Sequence, residues 1–250
     1  MSPQAISLIL FACLFSGVLL GISLRPVLPE KHLTAESKST LTLGTGLIGT
    51  MASLVLGLLV ATAASSFFTQ RNELTEMSAK LVLLDRVLAH YGPETKEARE
   101  TMSRQVAGLL DQMWPQEHSR SSPLAPKVAG EALYDEIQKL SPQNDTQRSI
   151  KGEALGLAMA IGSTRWLMFE QQTFPIPKII LGVIVFWFTV VFTSFGLFAP
   201  RNATVIVTLL LCALSLAGAI LLILDMFRPF EGLIHISSAP LRNALAHMGK

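Results

Sequence analysis

Charged side chains are scarce in this chain. Only 15% of the 250 residues are Asp, Glu, Lys or Arg, where an ordinary water-facing domain carries about 25%. That shortage excludes a single soluble globule. Cysteine is scarcer still. Cys13 and Cys212 are the two present, and both lie inside apolar runs, so neither a disulfide framework nor a thiolate metal site is expected. The five histidines, His32, His90, His118, His235 and His247, are scattered singly, whereas a metal needs convergent ligands. The net charge is +2, with no arginine-rich arm and no basic stripe interleaved with aromatics, which argues against a nucleic-acid partner. No run alternates polar and apolar residues as a half-buried strand would, and no internal repeat is present. A nucleophile–base pair, a phosphate loop and a paired-histidine motif are all missing. The expectation is a protein that is not an enzyme and carries no cofactor.

The charge deficit is local. Residues 69–178 hold thirteen Lys and Arg against fourteen Asp and Glu, leaving seven and four for all the rest. The charge-poor remainder contains four apolar runs, at residues 6–24, 41–68, 179–199 and 203–224. Each approaches or exceeds the ~20 residues that cross ~30 Å of hydrocarbon as a helix. Backbone polar groups have no water to bond in lipid, so the runs are predicted to be helices rather than open strands. The first run has no Lys or Arg before it and no small-residue cleavage pattern after it, so it is expected to remain as a span. Pro200-Arg201-Asn202 joins the last two runs into a tight hairpin, and the connection at residues 25–40 is also short. The predicted fold is all-α and polytopic. It comprises an N-terminal transmembrane hairpin at 1–68, a helical domain at 69–178, a C-terminal hairpin at 179–225 and a tail at 226–250.

Four crossings put both termini and the helical domain on one side of the bilayer. That side carries Arg71, Lys80, Arg86, Arg165, Lys178, Arg228 and Arg242, against Arg25, Lys31, Lys38 and Arg201 on the other. The basic excess places the domain and both termini on the cytoplasmic side of the membrane. Within the domain, Leu74, Met77, Leu81, Leu84 and Leu88 recur at three- and four-residue steps, one face of an amphipathic helix. No breaker separates this face from the second run, so one helix is expected to run out of the membrane to Gly92-Pro93. Further helices are predicted at 94–113, at 127–140 up to Ser141-Pro142, and at 145–172 with Asp145 as its cap. Residues 114–126 read as a Pro- and Ser-rich loop, and Thr173 to Pro177 as a break. In the tail, Ser237-Ser238-Ala239-Pro240 has the form of a capped helix start leading into 241–248.

The second run holds a row of small residues at strict four-residue spacing: Thr45, Gly49, Ser53, Gly57, Ala61, Ser65 and Thr69. Such a row forms a shallow groove inclined to the helix axis. It admits two readings. Small residues let another helix approach closely, and small polar side chains can also line a water-filled path. The row drifts by about 40° per step, because four residues exceed one 3.6-residue turn, so it cannot all face one way. Phe67, Phe68 and Arg71 follow it. They read either as a constriction and mouth, where bulky apolar groups dewet a pore and Arg favours anions, or as an interfacial aromatic belt with a snorkelling Arg. Asp225, at the end of the fourth run, stands close to membrane depth, where ionisable groups are costly and often functional; it reads either as such a group or as the acidic half of an interfacial pair with Arg228. The small-residue run at 152–156, around Glu153, reads as a crowded helix contact.

On these residues the chain resembles the bacterial bestrophin-like family. The resemblance spans nearly the whole length. Its most specific part is Pro229-Phe230-Glu231-Gly232-Leu233-Ile234-His235-Ile236-Ser237 followed by Pro240-Leu241, with Asp225 ending the span before it and Glu153-Ala154 in the last helix of the domain. It implies a distant relationship to bestrophins, pentameric anion channels whose pore is lined by their second helix. The acidic calcium-binding cluster of animal bestrophins is missing, and Phe67-Phe68 are adjacent rather than one helical turn apart. The resemblance therefore implies a homo-oligomer in the bilayer, pentameric by analogy, with inorganic anions as partners. A second reading is a non-conducting scaffold or stator-like subunit, since stators share the order two spans, cytoplasmic domain, two spans. An even number of crossings has a direct test. Reporter tags at residue 1, within 69–178 and at residue 250 are expected on the same face of the membrane, and protease protection that separates any two of them would overturn the four-span reading.

Overall fold

The computed structural model describes residues 2–29, 34–114, 126–172, 178–200, 202–230 and 232–249. Residues 115–125 of the loop expected at 114–126, the break at 173–177, and Lys31, His32, His118, Arg201 and Glu231 lie outside the described residues, while Pro126 already belongs to the next helix. Among the described residues every regular element is helical: α1 (Pro3–Leu24), α2 (Ala35–Tyr91), a short 3-10 turn (Pro93–Thr95), α3 (Lys96–Met113), α4 (Pro126–Lys139), α5 (Asp145–Gln172), α6 (Lys178–Phe198), α7 (Ala203–Met226) and α8 (Ala239–His247). Four of these, α1, α2, α6 and α7, are long and apolar enough to cross a membrane. The chain divides into two compact units. One comprises residues 1–67 and 175–227, the other residues 68–174 and 228–250.

The first unit gathers the four apolar helices. Pro3 starts α1 and Ser2 caps it, its Oγ accepting from the Ala5 N–H at 3.2 Å. The buried positions of α1 are Ser7, Leu10, Leu14, Gly17, Val18 and Gly21. Their three- and four-residue spacing presents one stripe to the neighbouring helices. That stripe packs on α6 and, less extensively, on α7. The α1–α6 contact is a meeting of backbones. A Cβ added at Gly196 would run into the Val18 carbonyl, and one added at Gly21 would run into the Thr193 carbonyl. Only the hydrogens of glycine fit there, as membrane helix pairs with small interfacial residues require. Ser7 reaches across to α7, its buried Oγ donating to the Ala217 carbonyl at 2.8 Å. Leu10, Leu14 and Val18 of α1, Ala63 of α2, Ile184 and Phe192 of α6 and Ile220 of α7 share one core. The α6–α7 turn is bonded at both ends. Arg25 Nη1 donates to the Ala199 carbonyl beyond α6 at 2.7 Å, and Asn202 caps α7 by accepting from the Val205 N–H at 3.0 Å.

The second unit is built on the far half of α2. Leu74, Met77, Leu81, Leu84 and Leu88 are all buried, as their spacing predicts. Gly92, at φ +139°, ends the helix in a conformation that side chains rarely adopt. Buried Thr95 then donates its hydroxyl to the Leu88 and Gly92 carbonyls, at 2.7 and 2.8 Å, satisfying acceptors that the helix end leaves open. α3 buries Ala98, Met102, Val106 and Leu110 at every fourth residue. α5 lies antiparallel to α2: Gln147 Nε2 donates to the Tyr91 carbonyl near the start of α5, and Gln171 Nε2 donates to Glu73 Oε1 near its end. The cap of α5 differs from the expected Asp145. Asn144 Oδ1 accepts from the Gln147 N–H at 2.8 Å. Asp145 lies in the first turn instead, where its carboxylate pairs with Arg148. Asn one residue earlier already offers the side-chain oxygen that the N-cap position needs.

Asp85 ties this unit together. It is 1% exposed and accepts two hydrogen bonds from Arg99 of α3, Nε to Oδ1 at 2.7 Å and Nη2 to Oδ2 at 2.9 Å. The Gly249 N–H adds a third at 3.2 Å, from the end of the tail. The bond to Asp85 holds the Arg99 guanidinium above its usual range. α8 does not lie free. Leu241 and Ala244 are buried, and the helix packs on α3. Ser238 makes no side-chain cap, whereas Ser237 Oγ accepts from the Ala239 N–H at 3.2 Å.

Three substitutions test these contacts in thermal unfolding of the detergent-solubilised protein. Gly196→Leu is expected to cost about 3 kcal/mol or more, since overpacking here displaces backbone. Gly44→Ala, where an added Cβ meets nothing within 4 Å, is expected to leave stability unchanged or raised. Arg99→Ala is expected to cost about 3–5 kcal/mol by stranding a buried carboxylate. Equal melting of Gly196→Leu and the unaltered chain would remove the backbone contact.

Candidate functional site

The distinctive surface of the molecule is the membrane half of α2. Its most apolar stretch is 11% buried inside the chain, against 33% for α1. The side turned to the core is marked by fully buried Ala52 and Ala63, with Val55, Leu56 and Leu59 packed between them. Those positions recur every three or four residues, as one helix face must.

The four-residue row winds away from that face. At its start Thr45 and Gly49 are half-buried, and a Cβ added at Gly49 would just touch Val191 of α6 at 4.0 Å. Ser53, Gly57, Ala61 and Ser65 are exposed, and an added Cβ at Gly57 meets no atom within 4 Å. The 40° drift per step accounts for this division. Thr45 and Gly49 are partly covered within the chain, and Ser53, Gly57, Ala61 and Ser65 form an uncovered strip of small side chains, with Thr69 beyond them also exposed. Large neighbours flank the strip, with Leu54 and Leu58 both more than 60% exposed.

Four hydroxyls along the membrane half of this helix bond locally. Thr45 donates to the Leu41 carbonyl, Ser53 to Gly49 and Thr62 to Leu58, each at 2.8 Å, and Thr50 to Gly46 at 2.9 Å. Bonding to the carbonyl four residues back removes the cost of a hydroxyl in apolar surroundings. The outward surface at these positions is then oxygen lone pairs and methyl groups rather than free O–H donors.

The two adjacent phenylalanines separate. Phe67 is 9% exposed and Phe68 is 52% exposed. Neighbours on a helix point about 100° apart, so Phe68 alone continues the uncovered side. Arg71 is also exposed.

The tail residues of the family motif serve a different purpose. The Ile236 N–H donates to the Pro229 carbonyl at 2.6 Å, closing a loop in which Gly232 adopts φ +99°. Trp114 holds the loop. Its indole N–H donates to the Ile236 carbonyl at 2.8 Å, and its ring meets Phe230 edge-on with centroids 5.5 Å apart. Pro229, Ile236 and Ser238 are buried, Pro240 is half-buried at the start of α8, and Ser237 is exposed. Asp225 is buried at the end of α7. Trp114 is the residue that sequence reasoning passed over, because it borders a Pro- and Ser-rich stretch. A lone Trp at a helix end was the available signal, since a buried indole must find an acceptor. Glu153, Gly152 and Gly156 are exposed, and added Cβ atoms at both glycines meet nothing. The expected crowding at 152–156 is thus not present within the chain, where buried Ala154 alone faces inward. Among the described residues no cluster of His, Cys, Asp or Glu is arranged to hold a metal.

A family model described as the bestrophin-like domain matches residues 12–241. No curated protein matches the chain. Crystal structures of mutated forms of a bacterial bestrophin homolog from Klebsiella pneumoniae are similar in fold. One is 14% identical with a TM-score of 0.67, covering 94% of this chain and 96% of that one. A second is 16% identical with a TM-score of 0.65, covering 97% and 99%, and a third is 16% identical with a TM-score of 0.57, covering 95% and 99%. Four apolar helices, a separate helical unit, a tail loop with the family's residues, and a family match over nearly the whole length lead to one assignment: this membrane protein belongs to the bestrophin-like family.

Proposed function

We propose that the chain assembles into a homo-oligomeric channel that passes inorganic anions along a path lined by α2. The observation that carries this reading is the uncovered strip Ser53, Gly57, Ala61 and Ser65. A span that buries so little within its own chain needs other surroundings, and small side chains suit either a neighbouring helix or a water-filled path. Resemblance to bestrophins, pentameric anion channels lined by their second helix, favours the path and a five-fold ring. Phe68 is the candidate for an apolar constriction, and Arg71 supplies positive charge beyond it, which attracts anions. Both termini lie in the cytoplasm of a bacterial cell, on the basic side of the inner membrane. Catalysis has no role in this reading.

Ion flux into liposomes tests it. Purified protein is expected to pass chloride, and Gly57→Asp is expected to lower that flux by roughly tenfold, equivalent to about 1.4 kcal/mol in the barrier. Ser53→Arg is expected to change the anion-to-cation ratio in the opposite direction. Flux absent under every condition, with a single stoichiometric partner recovered by cross-linking, would favour the scaffold or stator-like reading instead. A monomeric particle would remove both the ring and the pore.

A further inference from the structure

The second unit contains a cavity of about 40 Å³ between α2, α3, α4 and α5. Its floor is apolar, formed by the buried side chains of Met77, Leu81, Met102, Val106 and Leu133. Its rim is half-exposed and carries two polar side chains, Gln105 and Arg165. We propose that this cavity is a binding site for a short-chain alkyl carboxylate, with the alkyl end on the methionine-lined floor and the carboxylate at Arg165 and Gln105.

Size, floor and rim each restrict the ligand. One water-sized probe needs about 10–15 Å³ on this measure, so the space admits roughly three or four heavy atoms beyond the rim. Water gains little on a floor without polar partners, while an alkyl chain gains its transfer free energy there. Methionine thioethers adapt to irregular guests. At the rim, burial pulls the Arg165 guanidinium down from the usual arginine range. An arriving anion offsets that desolvation. The guanidinium has five N–H donors in a planar fork that matches a carboxylate. The Gln105 amide supplies a further donor. A neutral alcohol would lose the Arg165 interaction, and an alkylammonium would be repelled by it. The site lies wholly within one unit and does not depend on whether α2 conducts.

Calorimetric titration of the full-length detergent-solubilised protein tests this, at fixed ionic strength with chloride as the replaced anion. The probes are sodium acetate, butyrate and octanoate, n-butanol and butylammonium. Affinity is expected to rise about fourfold per methylene from acetate to butyrate and then to stop rising at octanoate. Butanol and butylammonium are expected to bind at least tenfold more weakly than butyrate. Gly162 lines the cavity, and a Cβ added there meets nothing within 4 Å. Gly162→Leu is therefore expected to fold, to melt higher by filling the space, and to lose butyrate binding. Ala158→Val provides a second filling variant should the first alter the fold. Arg165→Gln is expected to abolish the preference of butyrate over butanol. Affinity that climbs steadily through octanoate, or butyrate binding retained in both filling variants, would overturn the proposal.

Discussion

The membrane offers the polypeptide backbone no solvent partner, and the rest of this structure follows from that constraint. Each apolar segment must bond its own N–H and C=O groups, so each is a helix. The problem then moves to the helix ends and to polar side chains along the way. Ser2 and Asn202 satisfy the first turns of α1 and α7, and Arg25 reaches the Ala199 carbonyl past the end of α6. Hydroxyls inside the spans return to the carbonyl of the preceding turn, as in Thr189 to Val185 and Thr193 to Thr189.

Once backbone bonding is complete within each helix, association cannot draw on the hydrophobic effect, because lipid is as apolar as a side chain. It depends on close packing. Gly17, Gly21 and Gly196 bring α1 and α6 near enough for backbone atoms to touch, and Ser7 adds one hydrogen bond to α7. α2 lacks such an intimate partner over Ser53 to Ser65. The same chemistry, small residues on a membrane helix, thus has two outcomes in one protein: a closed contact on α1 and an open strip on α2.

The second unit is held differently. An apolar core forms from α2, α3, α4, α5 and α8, and one buried carboxylate, Asp85, collects donors from α3 and from the tail. Removing Arg99 would strand the buried Asp85 charge in an apolar interior. Trp114 holds the tail loop in the same manner, with one indole hydrogen bond and one edge-on ring contact.

Much of this was legible in the sequence because it is local. Run length and apolar content determined the four spans. The three- and four-residue spacing of Leu74, Met77, Leu81, Leu84 and Leu88 determined which side of α2 faces the second core, and Gly92-Pro93 determined where that helix stops. Helical periodicity repeats over a few residues, so a linear reading reaches it. The tertiary structure alone decided which members of the small-residue row are covered, that Phe67 turns inward while Phe68 stays outside, that Asn144 rather than Asp145 caps α5, and that Asp85, Arg99 and Gly249 converge. These outcomes depend on which surfaces meet. Residues 164 positions apart, as Asp85 and Gly249 are, come together only when helices pack in three dimensions, and no spacing along the chain encodes that meeting.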